Sequence, residues 1–470
     1  MTAMPHPLPV LLVTSNGVGM GHLTRQLAVA ASAPADLDPV LMSLSGALPT
    51  VASAVARGAL PELAGLRTEY CPSRRSGWLP RRGPAAALRR RYPPYQWEPY
   101  FRDRLRALVA ETGARLVLFD GVVPYRGLRE ARASLPGTPF VWMRRGMWRA
   151  GVGADWLTHA TVFDHVLEPG DVAAARDRGL TRERDDAQRI ASISIASALR
   201  LHDRAQAREA LGLDPDRPAL LLTPGTGALE DVASPVRAAL ATVRREQPDW
   251  QVAVTSPALA RHGLGDEADV VLLRDTYPLA RSLAAFDAAV SAAGYNSVHE
   301  LLGARVPTLL VPGLALGADD QLGRAEGAAD LGAALVARPD DPTALEGGVT
   351  RLLRAATRED LAAACAALPA PTGAAEAAQA LGALAAGAPA PAGLGDGEGL
   401  GPPRWRSALP DLRTPVSVDG ARQHRDAPTL HLTQDLPDRL GDEPVEHLVA
   451  GSSPQYRRAR ARVARWVYRS

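Results

Sequence analysis

The chain has no lysine among its 470 residues; all 53 basic side chains are arginine. That absence excludes a Schiff-base lysine for pyridoxal phosphate, a phosphate-loop lysine and a lysine general base. Any bound anion must be held by arginine forks, backbone N–H groups or helix N-termini. Cysteine is scarce too: Cys71 and Cys365 are too few and too far apart for a disulfide framework or a metal cluster. An excess of one charge is also missing. The 51 acidic side chains leave a net +2, which gives no global case for a nucleic-acid partner. No uncharged apolar run reaches the roughly 18 residues a membrane span needs. Met1–Pro9 carries no cationic segment before the first strand-like run, so the expectation is no signal peptide and a cytoplasmic location.

What is present is alternation. Short β-rich runs at 10–14, 39–43, 116–119, 140–143 and 165–168 alternate with alanine-rich stretches of helical period. A second set follows at 219–223, 251–255, 270–273, 288–291 and 308–311. The runs are short and mostly non-alternating, as strands buried on both faces of a parallel sheet are. Helices are predicted over 22–33, 100–112, 231–246, 279–286 and 296–303. Two doubly wound α/β domains result, residues 1–198 and 199–386, with the crossing near 195–203. From 387 to 403, ten of 17 residues are Gly or Pro, which predicts a flexible linker. A largely disordered, finally basic extension to residue 470 is expected beyond it.

The strongest chemical signal is Ser291-Ala292-Ala293-Gly294-Tyr295-Asn296-Ser297-Val298-His299-Glu300, followed by Val306-Pro307 and Asp320-Gln321. A buried strand ends in a glycine turn, and a helix opens whose amide dipoles face any anion above the turn. Asn296 and Ser297 add donors there, and Glu300, one turn on, presents a carboxyl to a vicinal diol. The plainer alternative makes Asn296 or Ser297 an N-cap and Glu300 a solvated helix residue. A second glycine loop, Gly225-Thr226-Gly227, follows the strand at 219–223 and offers backbone amides to phosphate from the other side.

Together these residues resemble the donor-binding signature of family 1 and family 28 glycosyltransferases, whose fold is GT-B. The resemblance covers roughly residues 10–386. It implies that Asn296 and Ser297 contact a diphosphate, Glu300 the ribose, and Asp320 with Gln321 the donor sugar. The stretch 274–278, with Thr276 and Tyr277, would read the nucleotide base largely through backbone atoms. Ala292 stands where many family 1 members carry a phosphate-contacting histidine. That departure favours the family 28 branch, which includes the N-acetylglucosaminyltransferase of peptidoglycan synthesis.

In the first half, Asn16-Gly17-Val18-Gly19-Met20-Gly21-His22 follows a strand and opens a helix. The glycine spacing is not that of a dinucleotide site, and no acid ends the next strand to hold an adenine ribose. The loop resembles the first turn of the glycosyltransferase acceptor domain. His22 suits a general base that deprotonates an acceptor hydroxyl. The resemblance to family 1 enzymes, in several of which an aspartate about one hundred residues on orients this histidine, implies that role for Asp120, 98 residues later at a strand end; the plainer alternative is a helix-terminal His22 and a turn at Asp120-Gly121. Arg144 and Arg145 follow another strand and suit either an anionic acceptor or a plain solvated loop.

Residues 74–106 hold ten arginines against two acids, interleaved with Trp78, Tyr92, Tyr95, Trp97, Tyr100 and Phe101. Such a mixture suits an anionic membrane surface or a lipid-diphosphate acceptor; alternatively its aromatics anchor it to its own domain.

The expectation is a two-domain GT-B hexosyltransferase that needs no metal or other cofactor. It would carry a hexosyl or N-acetylhexosaminyl group from a nucleoside diphosphate sugar, UDP-linked, to an acceptor hydroxyl with inversion. The acceptor stays open, with lipid-linked and cell-envelope glycans in view and peripheral contact at the inner face of the membrane. Two rival readings are a non-catalytic sugar-nucleotide or glycan-binding subunit and a UDP-sugar 2-epimerase.

Overall fold

The computed structural model describes residues 7–15, 20–73, 94–225, 233–255, 270–274, 276–314 and 317–387. The first half runs β1 (Leu8–Thr14), α1 (Gly21–Ala31), β2 (Leu37–Ser43), α2 (Leu48–Ala56) and β3 (Arg67–Tyr70). It continues through α3 (Pro94–Thr112), β4 (Val117–Asp120), α4 (Arg126–Ser134) and β5 (Phe140–Met143), then α5 (Ala154–Leu157), β6 (His165–Pro169) and β7 (Gln188–Ile190). The second half runs α6 (Arg204–Leu211), β8 (Ala219–Thr223), α7 (Ala233–Glu246), β9 (Gln251–Thr255), β10 (Val270–Leu273) and β11 (Ala288–Ala292). Then come α8 (Tyr295–Gly303), β12 (Thr308–Val311), α9 (Gln321–Asp330) and β13 (Leu335–Val336). The last described helices are α10 (Pro342–Leu352), α11 (Ala355–Ala366) and α12 (Gly373–Gly387).

Two parallel sheets form, in the orders β3-β2-β1-β4-β5-β6-β7 and β10-β9-β8-β11-β12-β13. In β1, Val10 and Leu12 face the core under α1 and α12, while Leu11 and Val13 face the core under α3. Burial on both faces is why the strand reads as an unbroken apolar run. The second sheet is covered likewise. Leu220 and Leu222 pack under α7 and α10, and Leu221 packs with residues of α6 and α8. In each sheet the strand order reverses once, between β1 and β4 and between β8 and β11. A crevice therefore opens there at the carboxyl ends of the strands.

Several elements depart from the sequence expectation. β3, β7 and β13 were not anticipated. They are edge strands of four, three and two residues without a long apolar run. Residues Leu279–Ala285 form 3-10 turns broken at Ser282 rather than a helix. α12, assigned by sequence to the second domain, returns to the first: Ala374, Ala377, Ala378, Leu381 and Ala385 pack in the core with α1 and β1. α6, after the crossing, is fixed by a capping box between Asp203 and Gln206 and ends at Gly212 in the left-handed region. The expected linker and basic tail beyond residue 387 lie outside the described residues.

Candidate active site

His22 and Arg25 stand three residues apart on α1 and so share one helix face, which turns toward Asp120 at the end of β4. Parallel pairing places Asp120 beside Thr14, at the point where the first sheet reverses. His22 Nδ1 lies 2.7 Å from Asp120 Oδ1. Arg25 grips the same carboxylate side-on, with Nε donating to Oδ2 at 3.0 Å and Nη2 to Oδ1 at 2.7 Å. Asp120 and Arg25 are buried, 1% and 2% exposed, whereas His22 lies at the rim. Its Nε2 has no hydrogen-bond partner among the described residues.

The charges follow from this arrangement. Burial pushes the Asp120 carboxyl up, but the Arg25 guanidinium and the His22 ring outweigh it and hold the group below its usual range. Burial pushes the His22 imidazole down; Asp120 raises it, Arg25 and Arg145 lower it, and the net direction is down. A ring that is neutral near pH 7, with Nδ1–H fixed on a carboxylate and Nε2 free, can accept a proton at Nε2.

Across the crevice, α8 opens at Tyr295 after Gly294, and no side chain caps its first turn. A Cβ at Gly294 would meet nothing within 4 Å among the described residues. Gly225, which follows β8, has φ +83, and an added Cβ there would come to 3.4 Å from Ala292. The two turns are thus neighbours at the reversal point of the second sheet. Asn296 Nδ2 donates to Gly21 O at 3.3 Å, while its Oδ1 is buried with no partner among the described residues. Asn296 is therefore not acting as an N-cap. Ser297 is half-buried in the same turn. Glu300 is half-buried, has no counter-charge among the described residues, and is pushed up to about 8 by burial.

The remaining donor-side residues are partly engaged. Asp320 Oδ1 accepts from Gly323 N–H at 3.0 Å and caps α9; Gln321 Oε1 accepts from Gly313 N–H at 2.9 Å. Tyr277 and Thr24 share a hydroxyl hydrogen bond of 3.1 Å that ties the loop after β10 to α1, and Thr276 is half-buried beside it. Thr226 and Gly227, and Gly17 and Gly19 of the first glycine loop, lie outside the described residues; Gly21 opens α1.

Arg144 and Arg145 have different fates. Arg144 is fully buried and spends its guanidinium on Glu168 (3.1 Å) and Asp186 (2.7 Å). The assignment of Arg144 to an acceptor anion is corrected accordingly. Arg145 reaches across to Asp319 at 3.0 Å and lies over the Tyr295 ring. The cationic stretch needs a similar correction where it is described. Trp97 and Phe101 stack 5.2 Å apart in the core, and Arg104 is paired with Glu69 and Glu111. Residues 74–93 lie outside the described residues.

Sequence reasoning missed the centre of the interface. Tyr295 O–H donates to Gly170 O and accepts from Ile193 N–H, both at 2.9 Å, while Arg25, Arg145 and Arg324 sit 5.5, 5.4 and 5.7 Å from its ring centre. Arg324 of α9 bridges Asp171 of the first domain (2.7 Å) and Asp319 of the second (2.8 Å). His299 donates from Nδ1 to Tyr295 O at 2.7 Å and accepts Val172 N–H at Nε2 at 3.1 Å, so it is a satisfied interface residue. Only the i,i+3 placement of Arg25 after His22 was a usable signal in the sequence.

No family model and no curated protein matches the chain. Solved structures do. The glycotransferase of kitacinnamycin is 18% identical, covering 81% of this chain and 100% of its own, with a TM-score of 0.54. A putative UDP-N-acetylglucosamine 2-epimerase from Listeria monocytogenes is 13% identical over 79% of this chain and 94% of its own, with a TM-score of 0.51. The fold is GT-B. MurG from Acinetobacter baumannii, 17% identical over 80% of this chain and 99% of its own, has a TM-score of 0.49. Transferase and epimerase names both occur on the GT-B fold, so function has to be argued from the site. Among the described residues no helix is long and apolar enough to cross a membrane.

Proposed function

We propose that the chain is a glycosyltransferase that moves a hexosyl group from a nucleoside diphosphate sugar, UDP-linked, to an acceptor hydroxyl, without a metal and with inversion. The observation that carries this reading is the His22–Asp120 pair, 2.7 Å apart, at the crevice into which the open first turn of α8 faces. In this reading Nε2 of His22 takes the proton of the acceptor hydroxyl as its oxygen attacks the anomeric carbon. Asp120 stabilises the imidazolium that forms. The leaving diphosphate gathers charge at the N-terminus of α8, where uncapped amides and the helix dipole offset it, and Asn296 and Ser297 contact it. Glu300 takes the ribose hydroxyls, Asp320 and Gln321 the sugar, and the backbone near Thr276 and Tyr277 the base.

A panel of UDP-, dTDP- and GDP-sugars screened by thermal shift tests the donor, since a ligand of the folded state raises apparent stability by mass action. UDP-sugars should raise Tm and the others should not. Addition of EDTA should leave both the shift and the turnover unchanged. No shift with any nucleotide sugar would sink the reading.

A further inference from the structure

We propose that Arg25 is a positioning residue that fixes both the tautomer and the neutrality of His22, and that it does so from a seat against Tyr295 of the second domain. The inference rests on the reading of His22 as a proton acceptor, but it concerns a property of the resting protein.

A histidine 2.7 Å from a lone buried carboxylate is drawn toward the imidazolium, because the anion favours the charged ring. A ring already protonated is no base. Burial of the ring works against that pull first, and Arg25 adds to the opposition. Its fork occupies both oxygens of Asp120, leaving one position on Oδ1 for the Nδ1–H of His22. The same guanidinium lies 2.8 Å from Nδ1, so it faces the ring as a fixed positive charge. Protonating His22 would put a second cation against it.

The tautomer follows from the same contacts. With the proton on Nδ1, Asp120 accepts it and Nε2 points its lone pair outward; the Arg25 Nη2 contact at 2.8 Å is then donor against donor, a cost that the charge-assisted bond to the ionised carboxylate offsets. With the proton on Nε2, the bare Nδ1 would meet Arg25 but set its lone pair against the carboxylate oxygen 2.7 Å away. Arg25 keeps Asp120 ionised, and an ionised Asp120 selects Nδ1–H. The groups facing His22 are Arg25 from its own helix, Asp120 from β4 and Arg145 from the loop after β5. Asp319 and Tyr295 face Arg25 from the second domain.

The outer face of Arg25 is closed by that second domain. Its guanidinium carbon stands 5.5 Å from the centre of the Tyr295 ring, and Tyr295 is the first residue of α8. The helix that opens toward the expected diphosphate therefore also covers the arginine that sets the base.

The test uses the full chain carrying ring-labelled histidine, with the His22 signals assigned from a His22→Ala sample and followed by nitrogen-proton NMR across pH. In the wild type, His22 should show the Nδ1–H tautomer and titrate below the ordinary histidine value. In Arg25→Met the midpoint should rise by about one unit, as loss of a neighbouring like charge allows. In Arg25→Lys, which keeps charge but not the fork, the midpoint should stay low while the tautomer population becomes mixed. An Nε2–H ring in the wild type overturns the proposal even if Arg25→Met fails to fold, and so does an unchanged midpoint in a folded Arg25→Met. Neither result depends on a sugar donor, so a failed transfer assay and a failed role for Arg25 remain distinguishable.

Discussion

The two reversal points of the sheets are built alike and finished differently. At the first, Asp120 is saturated by Arg25 and His22, and the only ring nitrogen without a partner among the described residues is Nε2 at the rim. At the second, among the described residues, the first turn of α8 has no side-chain cap, Asn296 Oδ1 is buried without a partner, and Glu300 is forced up to about 8 with no cation beside it. A buried polar atom left unpaired costs about 1–3 kcal/mol, so such atoms are rare unless something else meets them. The difference separates two tasks. A proton acceptor must be pre-set before the acceptor arrives, whereas a ligand cradle keeps its polar groups for the ligand.

The largest effect expected from that contrast is on turnover. His22→Ala should lower sugar transfer by about 10²–10⁴-fold, the usual worth of a positioned base. UDP binding, measured by calorimetry or thermal shift, should be unchanged because it belongs to the other reversal point. Unaltered turnover in this variant would remove His22 from the chemistry.

Next in size is a stability effect that sharpens the comparison within the first domain. Arg144 and Arg145 are adjacent in sequence, yet Arg144 is locked between Glu168 and Asp186, while Arg145 is partly exposed and pairs with Asp319 beside the Tyr295 ring. Arg144→Met should cost about 3 kcal/mol or more, because removing one member of a buried ionic cluster strands the others. Chemical denaturation measures this. Arg145→Met should cost less in stability. Equal stability losses for the two would erase the distinction drawn between them.

This pair also shows what the sequence could and could not reveal. The apolar runs of β1, β5, β8 and β12 were legible because burial on both faces removes alternation, and the turn at Gly294 was legible because small and polar residues cluster there. The edge strands β3, β7 and β13 were not, since a short strand with one neighbour depends on pairing more than on its own composition. His22 and Asp120 could be nominated by type and position at strand and helix ends. Arg144 and Asp319 could not be sorted from their neighbours, because their roles come from partners 24 and 174 positions away, Glu168 and Arg145. The same reason hid α12, whose alanine-rich face is compatible with either domain until it packs beside α1.

A smaller effect is expected at the cradle itself. Asn296→Ala removes an unpartnered Oδ1 and one long hydrogen bond to Gly21, so the melting temperature of the empty protein should hardly move. UDP affinity should fall about tenfold, the worth of one hydrogen bond donated by the second Nδ2–H to a phosphate oxygen. The reverse pattern, a large loss of Tm with intact affinity, would make Asn296 an interdomain strut and not a ligand contact.

The last effect lies in the pH dependence of Glu300. Its carboxyl is raised from 4.5 to about 8 in the folded protein by burial alone. Its favourable contribution is therefore fully present below about pH 4.5 and is lost as pH rises through about 8. Glu300→Gln, which stays neutral, should match the wild type in Tm near pH 4.5 and gain on it progressively toward pH 9. Binding should carry the opposite sign. Ribose hydroxyls donate to a carboxylate better than to a carboxylic acid, so wild-type UDP affinity should rise with pH through the same window while that of Glu300→Gln stays flat. If both proteins bind UDP with the same pH profile, Glu300 is a buried acid without a diol, and the second reversal point loses the group that distinguishes a nucleoside from a bare diphosphate.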